Sequence, residues 1–260
     1  MRVLPRPNAW RLSNVVGAIP VLVMNLASDT ARRAHIQEDF SNLPDFALQI
    51  VPGIAGNTLP DTICQSLTDH EIRPFPKGTL GCFLSHVAAW EKVATLNVDY
   101  AVVLEDDVEL LGFGQLKNLS VPADAGIVFI NERLSVQWGH SPLTVIGLDL
   151  LLLFLDVRRQ GLGGDGYLLR PDAARKLIAA CKTDLFRGHV DGRLLRYAVS
   201  PAELEALPEE SWIKTVIIHH HDKRRLPQLG LLKGYALSKP LVRQRRGMGS
   251  SRLLADAPAL

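Results

Sequence analysis

Residues 100–104, Tyr-Ala-Val-Val-Leu, form an apolar run of strand character that ends abruptly in three carboxylates, Glu105, Asp106 and Asp107. Such a cluster is costly at the edge of a core, because like charges repel and carboxylates resist desolvation. A divalent cation removes that cost. Oxygen ligands suit Mg²⁺ or Mn²⁺, and those ions bind phosphates in turn. The run therefore reads as the carboxyl end of a strand in an α/β sheet, the place where such sheets put ligands. The alternative is a solvated acidic turn.

The flanking sequence supports an α/β class. Residues 19–24 are a short apolar run rich in β-branched side chains, which predicts a strand. Ser28 or Asp29 can cap a following helix that runs through Phe40, and residues 46–51 predict a second strand closed by Pro52-Gly53. Strand, helix, strand in this order suggests a parallel unit. Residues 58–77, with Pro60, Pro74 and Pro76, read as irregular. A helix is expected from about Cys82 to Leu96, because Phe83, Val87, Trp90, Val93 and Ala94 recur at helical spacing. Further strands fit residues 127–130 and 167–169, and Pro171 opens a helix to about Cys181. The apolar stretch 145–155 is a buried strand or helix, too short to span a bilayer and interrupted by Asp149. Residues 216–218 predict a late strand that leads directly into His219, His220 and His221.

Composition excludes several classes. The chain has 260 residues, 47% hydrophobic and 22% charged, which is globular usage rather than disorder. Cys64, Cys82 and Cys181 are too scattered for a disulfide framework or a metal knuckle. A reducing, cytoplasmic setting fits, and the N-terminus lacks the pattern of a secretory signal. The net charge of +2 conceals an asymmetry. From Lys214 onward there are ten Lys/Arg against two Asp/Glu, leaving 19 against 25 in the rest. The expected organisation is a leader at 1–18, a main domain at 19–222 and a basic C-terminal segment at 223–260. The basic end suggests peripheral contact with an anionic membrane face, with no nucleic-acid partner.

Five segments in order carry a family resemblance. Residues 19–26 with Arg33 downstream give a strand-Asn-Leu-helix opening. Residues 78–86, Gly-Thr-Leu-Gly-Cys-Phe-Leu-Ser-His, follow the pattern G-x-x-G-C-x-x-S-H. Glu105-Asp106-Asp107 supplies an acidic motif, residues 164–169 a glycine-tyrosine turn, and Val190-Asp191 a Val-Asp pair. Together they resemble glycosyltransferase family 25, whose lipopolysaccharide and lipooligosaccharide sugar transferases prominently move galactose from UDP-galactose. The resemblance implies a GT-A-type α/β fold, a UDP-sugar donor, a saccharide or glycolipid acceptor and Mn²⁺ or Mg²⁺.

On this reading Asp107 is the direct metal ligand. Glu105 or Asp106 binds ribose or metal-bound water, since neighbouring strand residues point to opposite faces. His219 and His221, which alternation puts on one side, are candidates to complete the metal shell. Asn25 and Arg33 sit at a strand-to-helix junction suited to a nucleotide diphosphate. Ser85 and His86 are expected to reach the donor. An inverting transfer needs a base for the acceptor hydroxyl; Asp191 is the first candidate and Asp165 the second. Trp138 could stack on an acceptor sugar. The rival readings are a metal-dependent nucleotide-sugar phosphohydrolase and a non-catalytic glycan- or nucleotide-binding protein.

Overall fold

The apolar runs become neighbouring strands of one sheet. A computed structural model describes residues 9–12, 17–67, 76–137, 142–158, 161–183, 189–219 and 228–245. Its strands are β1 (Ala9–Arg11), β2 (Ile19–Asn25), β3 (Phe46–Pro52), β4 (Ala101–Glu105), β5 (Val108–Leu110), β6 (Ser120–Pro122), β7 (Ile127–Phe129), β8 (Val145–Gly147), β9 (Gly166–Leu169), β10 (Gly234–Leu237) and β11 (Val242–Gln244). The helices are α1 (Thr30–Ser41), α2 (Asp61–Leu67), α3 (Lys77–Thr95), α4 (Leu148–Arg158), α5 (Pro171–Cys181), α6 (Val190–Ala198), α7 (Pro201–Glu205) and α8 (Trp212–His219).

Seven strands form the central sheet in the order β3-β2-β4-β9-β7-β10-β8. Pairings β2–β3, β2–β4 and β7–β10 are parallel, while β9 and β8 run against their neighbours. Five strands therefore point one way and two the other, a mostly parallel α/β sheet of the expected class. Alternation explains why β4 is apolar from Ala101 to Leu104. Ala101 and Val103 face a core shared with α3, α4, α5 and α6, while Val102 and Leu104 face a second core with Ile36 and Phe40 of α1. A strand covered on both faces needs apolar side chains at every position.

Three elements differ from expectation. Helix α3 begins at Lys77, so the glycine pair Gly78 and Gly81 lies inside its first turns. A helical glycine costs about 1 kcal/mol relative to alanine. Here close packing outweighs that cost. A Cβ on Gly81 would lie 2.5 Å from the Ile54 carbonyl oxygen and 2.6 Å from the Gly56 nitrogen, and one on Gly56 would strike the Lys77 carbonyl. The second difference is α2, a short helix within the stretch expected to be irregular. The third is the late strand. Residues 216–218 lie in α8, where Ile213 and Ile217 are buried one helical turn apart. Ser211 opens that helix, its hydroxyl accepting from the Lys214 amide at 3.1 Å. The β-branched composition suggested a strand, but the tertiary contact set the period. The open choice at 145–155 resolves as a three-residue strand followed by α4.

The segment 223–260 contributes β10 to the main sheet and β11 to a pair with β5. From Lys214 onward, four basic side chains are paired within the fold: Lys214 with Glu209, Lys233 with Glu203, Arg243 with Glu109 and Arg245 with Asp39. Among the described residues no helix is long and apolar enough to cross a membrane.

Candidate active site

The carboxyl ends of β2, β3 and β4 and the start of β9 meet at one edge of the sheet, because Leu104 pairs with Gly166 in antiparallel register. A cleft of ≈ 340 Å³ opens there, within the size of small-molecule sites. Asp29, Gly78 and Val190, at the starts of α1, α3 and α6, all line it. Helix N-termini bring partial positive charge to the rim. The side chains nevertheless make it acidic: Asp29, Glu105, Asp106, Asp107 and Asp191 against Arg32 and Arg133.

The three adjacent carboxylates have different surroundings. Both Asp106 oxygens are engaged, one by Asn25 Nδ2 at 2.7 Å and the other by Arg32 Nη1 at 2.9 Å. Burial still raises its pKa above the usual carboxylate range, against those two donors. Asp107 Oδ2 accepts from Gln244 Nε2 at 3.0 Å, and Arg32 stands 3.7 Å away. Its Oδ1 is buried with no hydrogen-bond partner among the described residues. Burial, and next the charge of Glu105, push its pKa up to about 6. Glu105 is half-buried and approaches His86 Nε2 at 3.5 Å.

An orphaned buried carboxylate oxygen, hard and anionic, beside a second carboxylate is a donor set that fits Mn²⁺ or Mg²⁺. Asp107 and Glu105 could hold the ion. Asp106 already accepts one hydrogen bond on each oxygen, from Asn25 and Arg32, so less of its lone-pair capacity is open to an ion. His219 is the last residue of α8, and His221 lies outside the described residues, as do His220 and Trp138.

Two expected donor contacts turn inward. Arg33 is not among the cleft residues; its Nε donates to Asn25 Oδ1 at 2.8 Å and so orients the Asn25 amide towards Asp106. Arg32, at the same strand-to-helix junction but less favoured than Arg33 on sequence, takes the place facing the acidic triplet. One residue of helical phase separates the two. Ser85 lines the cleft, but its hydroxyl donates to the Gly81 carbonyl and accepts from the Ile54 amide, both at 2.8 Å. It pins residues 53–56 onto α3, the same contact that requires Gly56 and Gly81.

The opposite wall holds the base candidates. Asp191 lines the cleft in the first turn of α6, and its Oδ1 accepts from the Gly192 amide at 2.9 Å. Asp165 is 1% exposed and is not among the cleft residues. Its Oδ1 accepts from Arg133 Nη2 at 2.7 Å, and burial raises its pKa against that neighbouring charge. Arg133 reaches the cleft from the turn at 131–135, which Asn131 ties to the β9 entry through the Gly163 and Gly166 carbonyls. Sequence reasoning missed Arg133 because no local pattern marks it; only the long-range pair with Asp165 gives it a role. Gln244 was missed for the same reason, lying 137 residues from the carboxylate it supports.

An α/β fold with a cleft at the carboxyl ends of its strands belongs to the class of folds that bind ligands there. Comparison narrows it. The family described as glycosyltransferase family 25 (LPS biosynthesis protein) matches residues 18–186. The chain belongs to glycosyltransferase family 25. A "Glycosyltransferase 25 family member" of Aedes aegypti is 26% identical over 184 residues, 63% of this chain and 28% of that protein. An "Inactive glycosyltransferase 25 family member 3" of Mus musculus is 31% identical over 102 residues, 36% of this chain and 17% of that protein. The "Lipooligosaccharide biosynthesis protein lic2B" of Haemophilus influenzae is 33% identical over 93 residues, 35% of this chain and 34% of that protein. The chain thus spans between a sixth and about a third of the length of these relatives.

Proposed function

We propose that the chain is a metal-dependent glycosyltransferase that moves a hexose from a UDP-sugar to a saccharide acceptor of lipopolysaccharide or lipooligosaccharide. One observation carries the reading: the buried Oδ1 of Asp107, without a hydrogen-bond partner among the described residues, in a cleft that is otherwise acidic. Five carboxylates against two guanidinium groups would repel a nucleotide diphosphate. A divalent cation held by Asp107 and Glu105 would reverse that balance and neutralise charge on the leaving diphosphate. The family's printed description and the lic2B name support a lipopolysaccharide-type acceptor. Galactose is supported by the family resemblance and by the name of a similar protein, the "Procollagen galactosyltransferase 1-B" of Xenopus laevis.

In a single inverting displacement the acceptor oxygen forms a bond to the anomeric carbon as the bond to the diphosphate oxygen breaks, and UDP departs with the electron pair. The acceptor proton must go to a base, and the position of Asp191 on the cleft wall supports it as that base. The amide of Gly192 holds one of its oxygens in place. Asp165, buried behind Arg133, instead holds that guanidinium against the cleft. Contact with an anionic membrane face would fall to Lys239 and to the cations outside the described residues.

Product analysis tests the reading. UDP should be released from UDP-galactose only when a lipooligosaccharide acceptor is present. Asp191→Asn should keep UDP binding and slow acceptor-dependent release by about 100- to 10,000-fold. Free sugar or sugar phosphate without acceptor would establish the phosphohydrolase instead. UDP binding without turnover on any acceptor would establish a non-catalytic protein, a reading that the name of the mouse relative keeps in view.

A further inference from the structure

Beneath the cleft a chain of buried polar atoms runs from α3 to β9 and back. Trp90, Tyr167 and His86 are each fully buried. Trp90 Nε1 donates to the Tyr167 hydroxyl at 2.7 Å, and His86 Nδ1 lies 2.9 Å from that same oxygen. The imidazole stacks beside the phenol, with 15° between the ring planes. At its far end His86 Nε2 faces Glu105 Oε1 at 3.5 Å.

The direction of each bond follows from the groups themselves. An indole N–H can only donate, so Trp90 occupies an acceptor position on the phenol oxygen. Burial holds the Tyr167 pKa well above its ordinary value, so the phenol keeps its proton. A buried hydroxyl proton needs an acceptor. Among the described residues the atom within reach that can accept is His86 Nδ1. An uncharged imidazole that accepts at one nitrogen carries its proton on the other.

We propose that Trp90 and Tyr167 are positioning residues that fix His86 as the Nε2–H tautomer, an N–H donor aimed at Glu105 and the cleft. This assigns Tyr167 a polar task in a strand that otherwise only packs. It also decides between uses of His86. Cys82, His86 and Glu105 bring ligand atoms within 4.8 Å of one another, a grouping that could suggest a second metal site. A proton on Nε2 closes that use, because metal ligation there needs the lone pair. For the same reason His86 cannot take the acceptor proton, and that task stays with Asp191. The consequence for sugar transfer rests on the glycosyltransferase reading; the tautomer does not.

The test is nitrogen NMR of the full chain carrying ¹⁵N-labelled histidine, at mildly alkaline pH and without nucleotide. The chain has 8 histidines, so His86 is assigned by the signals lost in His86→Gln. The expected wild-type result is a proton bonded directly to Nε2 and a proton-free, hydrogen-bonded Nδ1. Tyr167→Phe should populate both tautomers and draw the two nitrogen resonances towards each other. A wild-type proton on Nδ1 would overturn the proposal, as would a folded Phe variant with an unchanged Nε2–H signature. If the variant fails to fold, the wild-type spectrum decides alone. With no donor or metal added, an error in the substrate assignment leaves this result untouched and would show only in UDP binding.

Discussion

The two walls of the cleft handle charge differently. On the wall built from β2, α1 and β4, three carboxylates crowd together and donors answer them in part. Asn25 and Arg32 satisfy Asp106, while Gln244 satisfies one oxygen of Asp107 and the other has no partner among the described residues. On the wall built from α3, β9 and α6, the buried charge of Asp165 meets Arg133, and the neutral polar groups form the Trp90–Tyr167–His86 chain. The first wall keeps electrostatic cost in the fold and would release it on binding a cation. The second answers its buried carboxylate with a guanidinium, although Asp165 Oδ2 also has no hydrogen-bond partner among the described residues. A binding wall and a positioning wall are therefore separable by mutation.

The largest effect should come from removing the counter-charge on the second wall. Arg133→Met leaves Asp165 buried beside Glu105 without its counter-charge. Losing one partner of a buried pair costs about 3 kcal/mol or more. Denaturation midpoints should fall accordingly at neutral pH. Asp165 already has a pKa raised by burial, and in the variant it should rise further. A raised carboxylate penalises the fold above its folded pKa, so the loss should shrink on acidification.

The binding wall should respond in the opposite sense. The Asp107 pKa rises from 3.8 unfolded to about 6 folded, so its ionisation opposes folding. That cost is absent below the unfolded value and fully present above about 6. Metal-free Asp107→Asn should therefore be more stable than wild type at neutral pH, by about 1–3 kcal/mol, the attraction to Arg32 being already contained in the folded pKa. The gain should vanish in acid, and thermal melts across pH would show it. A destabilised Asn variant would mean that Asp107 is already satisfied.

The smallest effect should follow from Arg33→Met. Arg33 touches Asn25 rather than the cleft, so its loss should loosen the Asn25 amide and weaken UDP binding only several-fold, by about 1 kcal/mol. A loss as large as that from Arg32→Met would return Arg33 to the nucleotide, where the sequence alone placed it.

Much of the sheet was legible because its strands are continuous apolar runs, and β2, β3, β4 and β9 fall where composition put them. The acidic edge was legible too, since Glu105, Asp106 and Asp107 are adjacent in the chain. What sequence could not supply was partnership across the fold. Whether Arg32 or Arg33 faces the triplet depends on the phase with which α1 leaves β2. Ser85 looks like a donor contact until residues 53–56 are seen lying on α3. The α8 segment misled because Val216, Ile217 and Ile218 favour strands locally, whereas Ile213 and Ile217 bury at helical spacing. Gln244 and Tyr167 gain their roles from partners 137 and 81 residues away.

The central claim is that Asp107 offers its bare oxygen to a cation that carries the nucleotide diphosphate. Calorimetry of UDP binding, with and without Mn²⁺, on wild type and Asp107→Ala tests it most directly. The account predicts binding that requires Mn²⁺ in the wild type and is lost, by about 100-fold or more, in the variant. Binding of equal strength in both proteins and independent of the metal would contradict it, and would leave the acidic triplet a solvated turn.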